Sequence, residues 1–327
     1  MNKNGTHTRQ SGIQTLRLFD ADAMSEAVRS SKFEHVQLEA GDFRAELKRL
    51  ELDRITIDSG CYTRKVLARG DFPTSRIVIG CLLDSREEGL INGYRFSRND
   101  IIIYPKGSHL DYLQPAYTTW CAIQVSQQHL EDAGFPETGI DRVRILTGYQ
   151  PIVQAMRYLM TDVATIRKHH SKDQSSRTIP PCEEQLLELI NHTLISSRVS
   201  ETCIRRPSLH NRMALLRKFE QKLLERIDGT VRINELCTEL HVTARTLEHL
   251  VKTEYGMTPK QFHTVLRLNA ARQDLLKSRA SNETVSEIAR RNGIHHLGRF
   301  SANYTNHFGE YPSETLRRQL GREGNQG

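Results

Sequence analysis

Two stretches near the C-terminus repeat one another. One is VSEIARRNGIHHLGRFSANYTNHFGEYP at residues 285–312, and the other is INELCTELHVTARTLEHLVKTEYGMTP at residues 233–259. Their first parts align at an offset of 52 residues and their second parts at an offset of 53, so one extra residue lies between Ile294 and Phe300. The repeat predicts two structural units of the same kind.

Each copy has the pattern of two short helices joined by a tight turn. The first helix is predicted to begin at a capping residue, Asn234 or Ser286, with an acidic residue in its first turn. The second helix is predicted to begin near Thr243 or His296. Two helices joined by a turn of three or four residues form a helix-turn-helix. The predicted units span residues 233–254 and 285–308.

A third helix is predicted between the two units, over PKQFHTVLRLNAARQDLLKS at residues 259–278. Its apolar residues recur at helical spacing, and a helix of this length is a rigid connector. Such a connector would hold two major-groove helices about 34 Å apart, which is one turn of DNA.

Residues 211–320 resemble the DNA-binding domain of the AraC/XylS transcriptional regulators. The resemblance rests on the two repeats and on RLNAARQDLL in the connector. The chain departs from the family at Ile294, where an aromatic residue is usual, and at Tyr304, where phenylalanine is commoner. The resemblance implies a sequence-specific regulator, favours activation over repression, and names double-stranded promoter or operator DNA and RNA polymerase as partners.

The second helix of the first unit offers the clearest candidates for base contacts. Leu247, Leu250 and Val251 mark its buried face, so the opposite face is predicted to meet DNA. Arg245 has the geometry to donate to guanine, and Lys252 suits a phosphate. The predicted DNA-binding residues of this helix are Arg245, Thr246, Glu248, His249 and Lys252. Exposed surface charge is the alternative for each.

The second unit is predicted to contact DNA differently. The offset of 53 places Gly298 where the first unit has Arg245, and a glycine there lets the backbone come close to the groove. The predicted DNA-binding residues are His296, Gly298, Arg299 and Asn303. Arginines predicted to lie near phosphates, or to be solvated charges, are Arg267, Arg290, Arg291, Arg317 and Arg318.

The charge of the chain supports a polyanionic partner for its C-terminal third. The net charge is +7, and residues 211–320 hold 18 Lys/Arg against 12 Asp/Glu. Such an asymmetry is typical of nucleic-acid binding, although a solvated basic surface would look the same.

The remaining bulk features predict a cytoplasmic protein without a membrane segment. No apolar run approaches the ~18–20 residues of a membrane helix, and the N-terminus has no signal-peptide pattern. The six cysteines are scattered without a CxxC pair, which argues against zinc or redox motifs.

The N-terminal part is predicted to be rich in β-strands. Short apolar runs separated by turn signals, from FRAELKRLEL to TTWCAIQV, indicate an antiparallel barrel or sandwich, and helical spacing follows from about residue 127. The fold class is therefore α+β with two domains. The predicted boundaries are an N-terminal tail and lead-in at 1–30, a cupin-like effector or dimerisation domain with helices at 31–200, a linker at 201–213 and the DNA-binding domain at 214–320.

GYRFSRNDIIIYPKGSHLDY, residues 93–112, resembles the second half of a cupin barrel. A metal cupin also needs an H-x-H pair, and His109 is the only histidine in residues 36–125. We therefore predict no metal, no cofactor and no enzyme activity. The candidate residues of an effector pocket are Tyr62, Tyr104, His109 and Trp120, chosen as polar or aromatic side chains in predicted strands.

Two functions remain open on the sequence. The first is a ligand-responsive activator, and the alternative is a DNA-binding regulator whose N-terminal domain serves only dimerisation or partner contact. The helices between residues 145 and 196 carry apolar stripes that suit either a homodimer or packing within the domain.

Overall fold

The computed structural model contains two compact units. The first comprises residues 1–35, 44–63 and 68–205, and the second comprises residues 36–43, 64–67 and 206–327. The structure describes residues 8–10, 13–18, 21–27, 32–98, 100–135, 140–148, 151–162, 183–199, 207–229, 231–278 and 283–323. Over these ranges, each helix is too short or too polar to cross a bilayer.

The first unit is built on two antiparallel β-sheets. Its strands are β1 Thr8–Gln10, β2 Ile13–Leu18, β3 Lys32–Gln37, β4 Ala45–Glu51, β5 Ile55–Tyr62, β6 Val66–Asp71, β7 Arg76–Asp84, β8 Gly89–Ile91, β9 Tyr94–Phe96, β10 Ile101–Tyr104, β11 His109–Gln114, β12 Thr119–Ser126 and β13 Arg144–Leu146. The larger sheet has the order β1-β2-β4-β5-β12-β7-β10-β13, and the smaller sheet has the order β3-β6-β11-β8-β9. The predicted fold class is confirmed, as a sandwich rather than a closed barrel.

The segment predicted to be an N-terminal tail and lead-in, residues 1–30, contains regular structure where it is described. It supplies β1, β2 and a helix, α1 Ala21–Ala27. β2 joins the larger sheet because its residues pair with β4 in antiparallel register from Ile13 opposite Leu50 to Leu18 opposite Ala45. Pairing with a distant strand is not visible in the local pattern of so short a segment.

A layer of helices covers the outer face of the larger sheet. It contains α2 Gln127–Asp132, α3 Pro151–Arg157 and α4 Glu183–Val199, and a π-helical turn follows α3. In β7, Ile77 and Ile79 pack in the core formed with these helices, whereas Val78 and Gly80 face the smaller sheet. The apolar stripes of α3 and α4 are buried in the same core. Packing within the unit therefore accounts for them, and a homodimer stays a prediction.

The second unit contains the tandem helices. They are α5 Pro207–Leu224, α6 Ile233–Glu239, α7 Ala244–Tyr255, α8 Pro259–Lys277, α9 Val285–Arg291, α10 Leu297–Phe308 and α11 Pro312–Glu323. α5 begins inside the segment predicted as a linker, 201–213, whose first six residues lie outside the described part of the chain. The connector α8 begins with a capping box between Thr258 and Gln261.

A short piece of chain from far upstream belongs to this second unit. The backbone N–H of Gln37 donates to Asn269 Oδ1 at 3.0 Å, and Asn269 Nδ2 donates to the Gln37 carbonyl at 3.0 Å. The Gln37 side chain donates to the carbonyl of His307 at 2.9 Å. These buried hydrogen bonds explain why residues 36–43 group with α8 and α10.

Candidate nucleic-acid interface and internal cavity

The two helix-turn-helix units have the same backbone geometry. α6 and α9 are offset by 52 residues, from Ile233 to Val285, whereas α7 and α10 are offset by 53, from Ala244 to Leu297. The turns repeat as well, because His241 at φ 54° and Gly293 at φ 68° share the left-handed conformation. The predicted repeat is confirmed, and the extra residue lies in the turn before α10.

The starts of the first helices differ from the prediction. α6 begins after Arg232, which makes no side-chain capping bond, and α9 begins after Thr284. The Thr284 hydroxyl accepts from the backbone N–H of Glu287 at 3.3 Å and completes a capping box with that residue. The predicted caps Asn234 and Ser286 are therefore wrong, since each lies one residue inside its helix.

α7 has one buried face and one exposed face. Leu247, Leu250 and Val251 are buried. The Thr243 hydroxyl caps the helix by accepting from the backbone N–H of Thr246 at 3.1 Å. All five residues predicted to contact DNA are exposed: Arg245, Thr246, Glu248, His249 and Lys252. The helix is thus packed against the protein on one side, and its polar face is exposed.

The cations of α7 are not engaged by the protein. Among the described residues, the side chains of Arg245 and Lys252 have no ion-pair or hydrogen-bond partner. An exposed cation without a carboxylate beside it is ready to neutralise a phosphate or to donate to a base. Their role at DNA stays a prediction.

α10 presents a thinner surface. Phe300 and Tyr304 are buried, and the predicted contact residues His296, Gly298, Arg299 and Asn303 are all exposed. A Cβ built on Gly298 would meet no atom within 4 Å. Packing inside the described protein therefore does not explain this glycine, although it costs a helix roughly 1 kcal/mol relative to alanine.

Three of the five arginines predicted near phosphates are engaged inside the protein. Arg267 Nε donates to the Ile227 carbonyl at 2.8 Å. Arg291 pairs with Asp274 and Glu283, and Arg318 pairs with Glu310. Arg290 and Arg317 are exposed. Their role near phosphates stays a prediction.

The connector is anchored by a buried charge cluster. Arg272 Nη1 donates to Glu310 Oε1 at 2.7 Å and to Tyr304 Oη at 3.2 Å. Its guanidinium also lies 4.7 Å from the centre of the Phe308 ring. α8 has 19 residues and is therefore about 28 Å long. A helix of this length, fixed by such contacts, is a stiff spacer between the two helix-turn-helix units.

A cavity of about 80 Å³ lies between the two sheets of the first unit. Three of the predicted effector residues line it, namely Tyr62, Tyr104 and Trp120. His109 does not line it, because its ring is about half exposed and its Nδ1 lies 2.8 Å from Asp71 Oδ1. An effector-binding role for His109 stays a prediction that this cavity does not support.

The cavity also brings together polar residues that the sequence did not single out. His35, Tyr112 and Gln114 line it from strands of the smaller sheet. Alternation within β11 puts Tyr112 and Gln114 on one face, but the facing sheet cannot be inferred from alternation alone. In the described chain, no group of three or more His, Cys, Asp or Glu is placed to hold a metal ion.

Residues 236–318 match the family model of a helix-turn-helix domain. The probable thc operon regulatory protein of Rhodococcus erythropolis is 36% identical over 85 residues, which cover 26% of each chain. The XylDLEGF operon transcriptional activator 3 of Pseudomonas putida is 30% identical over 135 residues, 41% of this chain and 38% of that protein. The chain thus spans 26% to 38% of the length of these two curated relatives.

A solved structure from Chromobacterium violaceum is also similar to part of the chain. It is described as a transcriptional regulator with an AraC-type DNA-binding domain, and it is 26% identical. The match covers 33% of this chain and 95% of that one, with a TM-score of 0.31.

Proposed function

We propose that the chain is a ligand-responsive transcriptional activator of the AraC/XylS family of DNA-binding regulators. In this proposal α7 and α10 read adjacent major-groove segments of a promoter or operator. The chain acts in the cytoplasm, contacts RNA polymerase and is a regulator rather than an enzyme.

The observation that carries the DNA-reading part is the repeated exposed face. α7 and α10 have equal length, keep an offset of 53 residues, and each turns its apolar stripe into the protein. The face opposite that stripe holds free cations in α7 and a bare backbone at Gly298 in α10. In a helix-turn-helix, the second helix enters the major groove with an exposed face of this kind.

The Arg245→Ala variant is expected to lose base preference at one position of the operator. A bidentate contact to guanine is worth about 1–3 kcal/mol of discrimination, so affinities for the preferred base and its substitutes should converge by that amount. The operator is selected in vitro from random DNA, and affinities are then measured for every single-base substitution at fixed salt.

Lys252→Ala is the matched comparison on the same exposed face. Loss of a phosphate contact should weaken binding to all sequences alike and reduce the slope of log affinity against log salt by about 1. If the Arg245→Ala protein keeps its full base preference, Arg245 does not contribute to base recognition.

The Gly298→Ala variant is expected to change stability and DNA affinity in opposite directions. The new methyl group meets no protein atom within 4 Å, so helix propensity should raise the free energy of unfolding by roughly 0.5–1 kcal/mol. If the backbone of α10 approaches the groove, the same methyl group should weaken DNA binding by about 1–3 kcal/mol. Thermal unfolding and operator titration measure the two effects, and unchanged affinity would argue against close approach.

The cavity in the first unit supports effector sensing over a domain used only for dimerisation or partner contact. An apolar pocket with a few polar groups is the usual form of a small-molecule site. A sensor gains stability of RT ln(1 + [L]/Kd) from its effector, whereas a pure dimerisation domain gains none. Thermal unfolding of the full chain against pools of metabolites therefore distinguishes the two functions.

A further inference from the structure

Two glycines keep the cavity open. A Cβ on Gly60 would lie 2.5 Å from Cζ2 of Trp120, and a Cβ on Gly89 would lie 2.6 Å from Cε2 of Tyr112. Because both positions lack a side chain, each ring lies close against a neighbouring strand instead of filling the space between the sheets. The remaining 80 Å³ is several times the ~10–15 Å³ that one water needs, which leaves room for a compact organic ligand.

Two polar oxygens on the cavity wall lack partners. Among the described residues, Tyr112 Oη and Gln114 Oε1 are buried and make no hydrogen bond. Gln114 is oriented by its other atom, since Nε2 donates to the Thr118 carbonyl at 2.9 Å. Unsatisfied buried polar atoms cost free energy, so a ligand that donates to Gln114 Oε1 or bonds to the Tyr112 hydroxyl would be stabilised.

The charged groups near the cavity are already neutralised. Asp58 is held by Arg49, whose Nε and Nη2 lie 2.6 and 2.9 Å from the two carboxylate oxygens. His35 is hydrogen-bonded at both ring nitrogens, to the Ser25 hydroxyl at 2.9 Å and to the Tyr62 hydroxyl at 3.2 Å. Burial lowers the pKa of His35 to about 4, so its ring is neutral at pH 7.

No free cation faces the space. The described residues that line the cavity include neither lysine nor arginine. A carboxylate inside it would be a buried anion without a counter-ion, which costs far more free energy than burying a neutral polar group.

We propose that the cavity binds an uncharged, mainly apolar ligand of about one ring in size, which carries a neutral donor or acceptor for Tyr112 and Gln114. This inference rests on the proposed effector-sensing function and specifies the chemistry of its ligand. It excludes carboxylates and phosphates as effectors at this site.

Trp120 makes the proposal directly measurable, because it is the only tryptophan in the chain and it lines the cavity. The full-length protein is titrated at pH 7.5 with phenol, benzyl alcohol, benzamide and the anion benzoate, and both Trp120 fluorescence and the melting temperature are followed. Benzamide and benzoate have nearly the same shape but differ in charge. At least one neutral probe should bind, and benzoate should bind more weakly than benzamide by on the order of tenfold or more.

The Tyr112→Phe variant tests the polar contact, because it removes the hydroxyl and keeps the ring. It should weaken the binding of a hydroxyl or amide probe by roughly three- to tenfold and leave toluene binding unchanged. Tyr117→Phe is the control, since Tyr117 is 55% exposed and is not among the cavity residues. A merely structural role of Tyr112 would change toluene and benzamide binding alike.

The outcomes separate this inference from the proposed function. If benzoate binds as tightly as benzamide, the proposal of an uncharged ligand is wrong, whereas the proposed effector sensing is unaffected. Failure of every neutral probe to change Trp120 fluorescence or melting temperature overturns the cavity as the ligand site. The regulator itself is tested independently by the base preference of Arg245→Ala.

Discussion

The Gly293→Ala variant should lower the free energy of unfolding of the second unit by about 3–4 kcal/mol. Gly293 has a φ of 68°, a conformation that costs an alanine roughly 1–2 kcal/mol. Its new Cβ would also lie 2.3 Å from the carbonyl oxygen of Ile227 and 2.6 Å from Nη2 of Arg267. Since the carbonyl is backbone, the turn must shift, and overpacking of this kind costs about 1–3 kcal/mol more.

Gly256→Ala separates the two causes of that loss. Gly256 ends α7 with a φ of 78°, but a Cβ there would meet no atom within 4 Å. Its replacement should therefore cost only the conformational part, about 1–2 kcal/mol. Amide hydrogen exchange in α7 and α10 of the full chain measures each helix locally. Equal losses in the two variants would show that the contacts around Gly293 are unimportant.

The Glu310→Gln variant should destabilise the second helix-turn-helix by about 3 kcal/mol. Glu310 accepts from Arg272 at 2.7 Å and from the Thr315 hydroxyl at 2.8 Å, and the Arg272 side chain is only 5% exposed. Glutamine preserves the shape but leaves the arginine charge buried without its carboxylate. Removing one partner of a buried ion pair is costly because the other charge stays desolvated. Chemical denaturation, combined with hydrogen exchange in α10, measures the loss.

Glu235→Gln is the matched surface substitution. Glu235 pairs with Arg232 at 3.3 Å, and their side chains are 56% and 78% exposed, so the expected loss is below about 1 kcal/mol. Adding Arg272→Met to Glu310→Gln should recover most of the stability, because no charge is then left buried. A double variant as unstable as the single one would locate the effect in some other contact of Glu310.

Most features of the tandem repeat can be predicted from the local sequence pattern. Spacing along the chain predicts the exposed faces of α7 and α10 and the extra residue before α10. It also predicts that each of these helices ends at a glycine. The helix starts did not follow from spacing, because Asn234 and Ser286 are good capping residues but lie two positions after the N-cap residues of the helices, Arg232 and Thr284. Thr284 is preferred over Ser286 because its capping box with Glu287 satisfies two backbone groups at once.

The N-terminal unit can be predicted only in part from the local sequence pattern. Apolar runs located six of its strands, but the pairing of β2 with β4 and the placement of His35 opposite Tyr62 join residues from separate strands. His109 and Tyr104 looked equally suitable as pocket residues. Only the packing of the two sheets places Tyr104 at the cavity and leaves His109 at the surface.

The two helix-turn-helix units and their exposed faces follow from the sequence alone, because helix periodicity and the repeat are properties of neighbouring residues. In contrast, which arginines are engaged by other residues and which polar atoms face the cavity depend on the tertiary structure. Arg245 and Arg267 are both arginines of predicted helices, yet Arg267 donates to the carbonyls of Ile227 and Gly229 in the turn after α5. Burial and partnership depend on residues brought together from distant parts of the chain, and no local spacing encodes them.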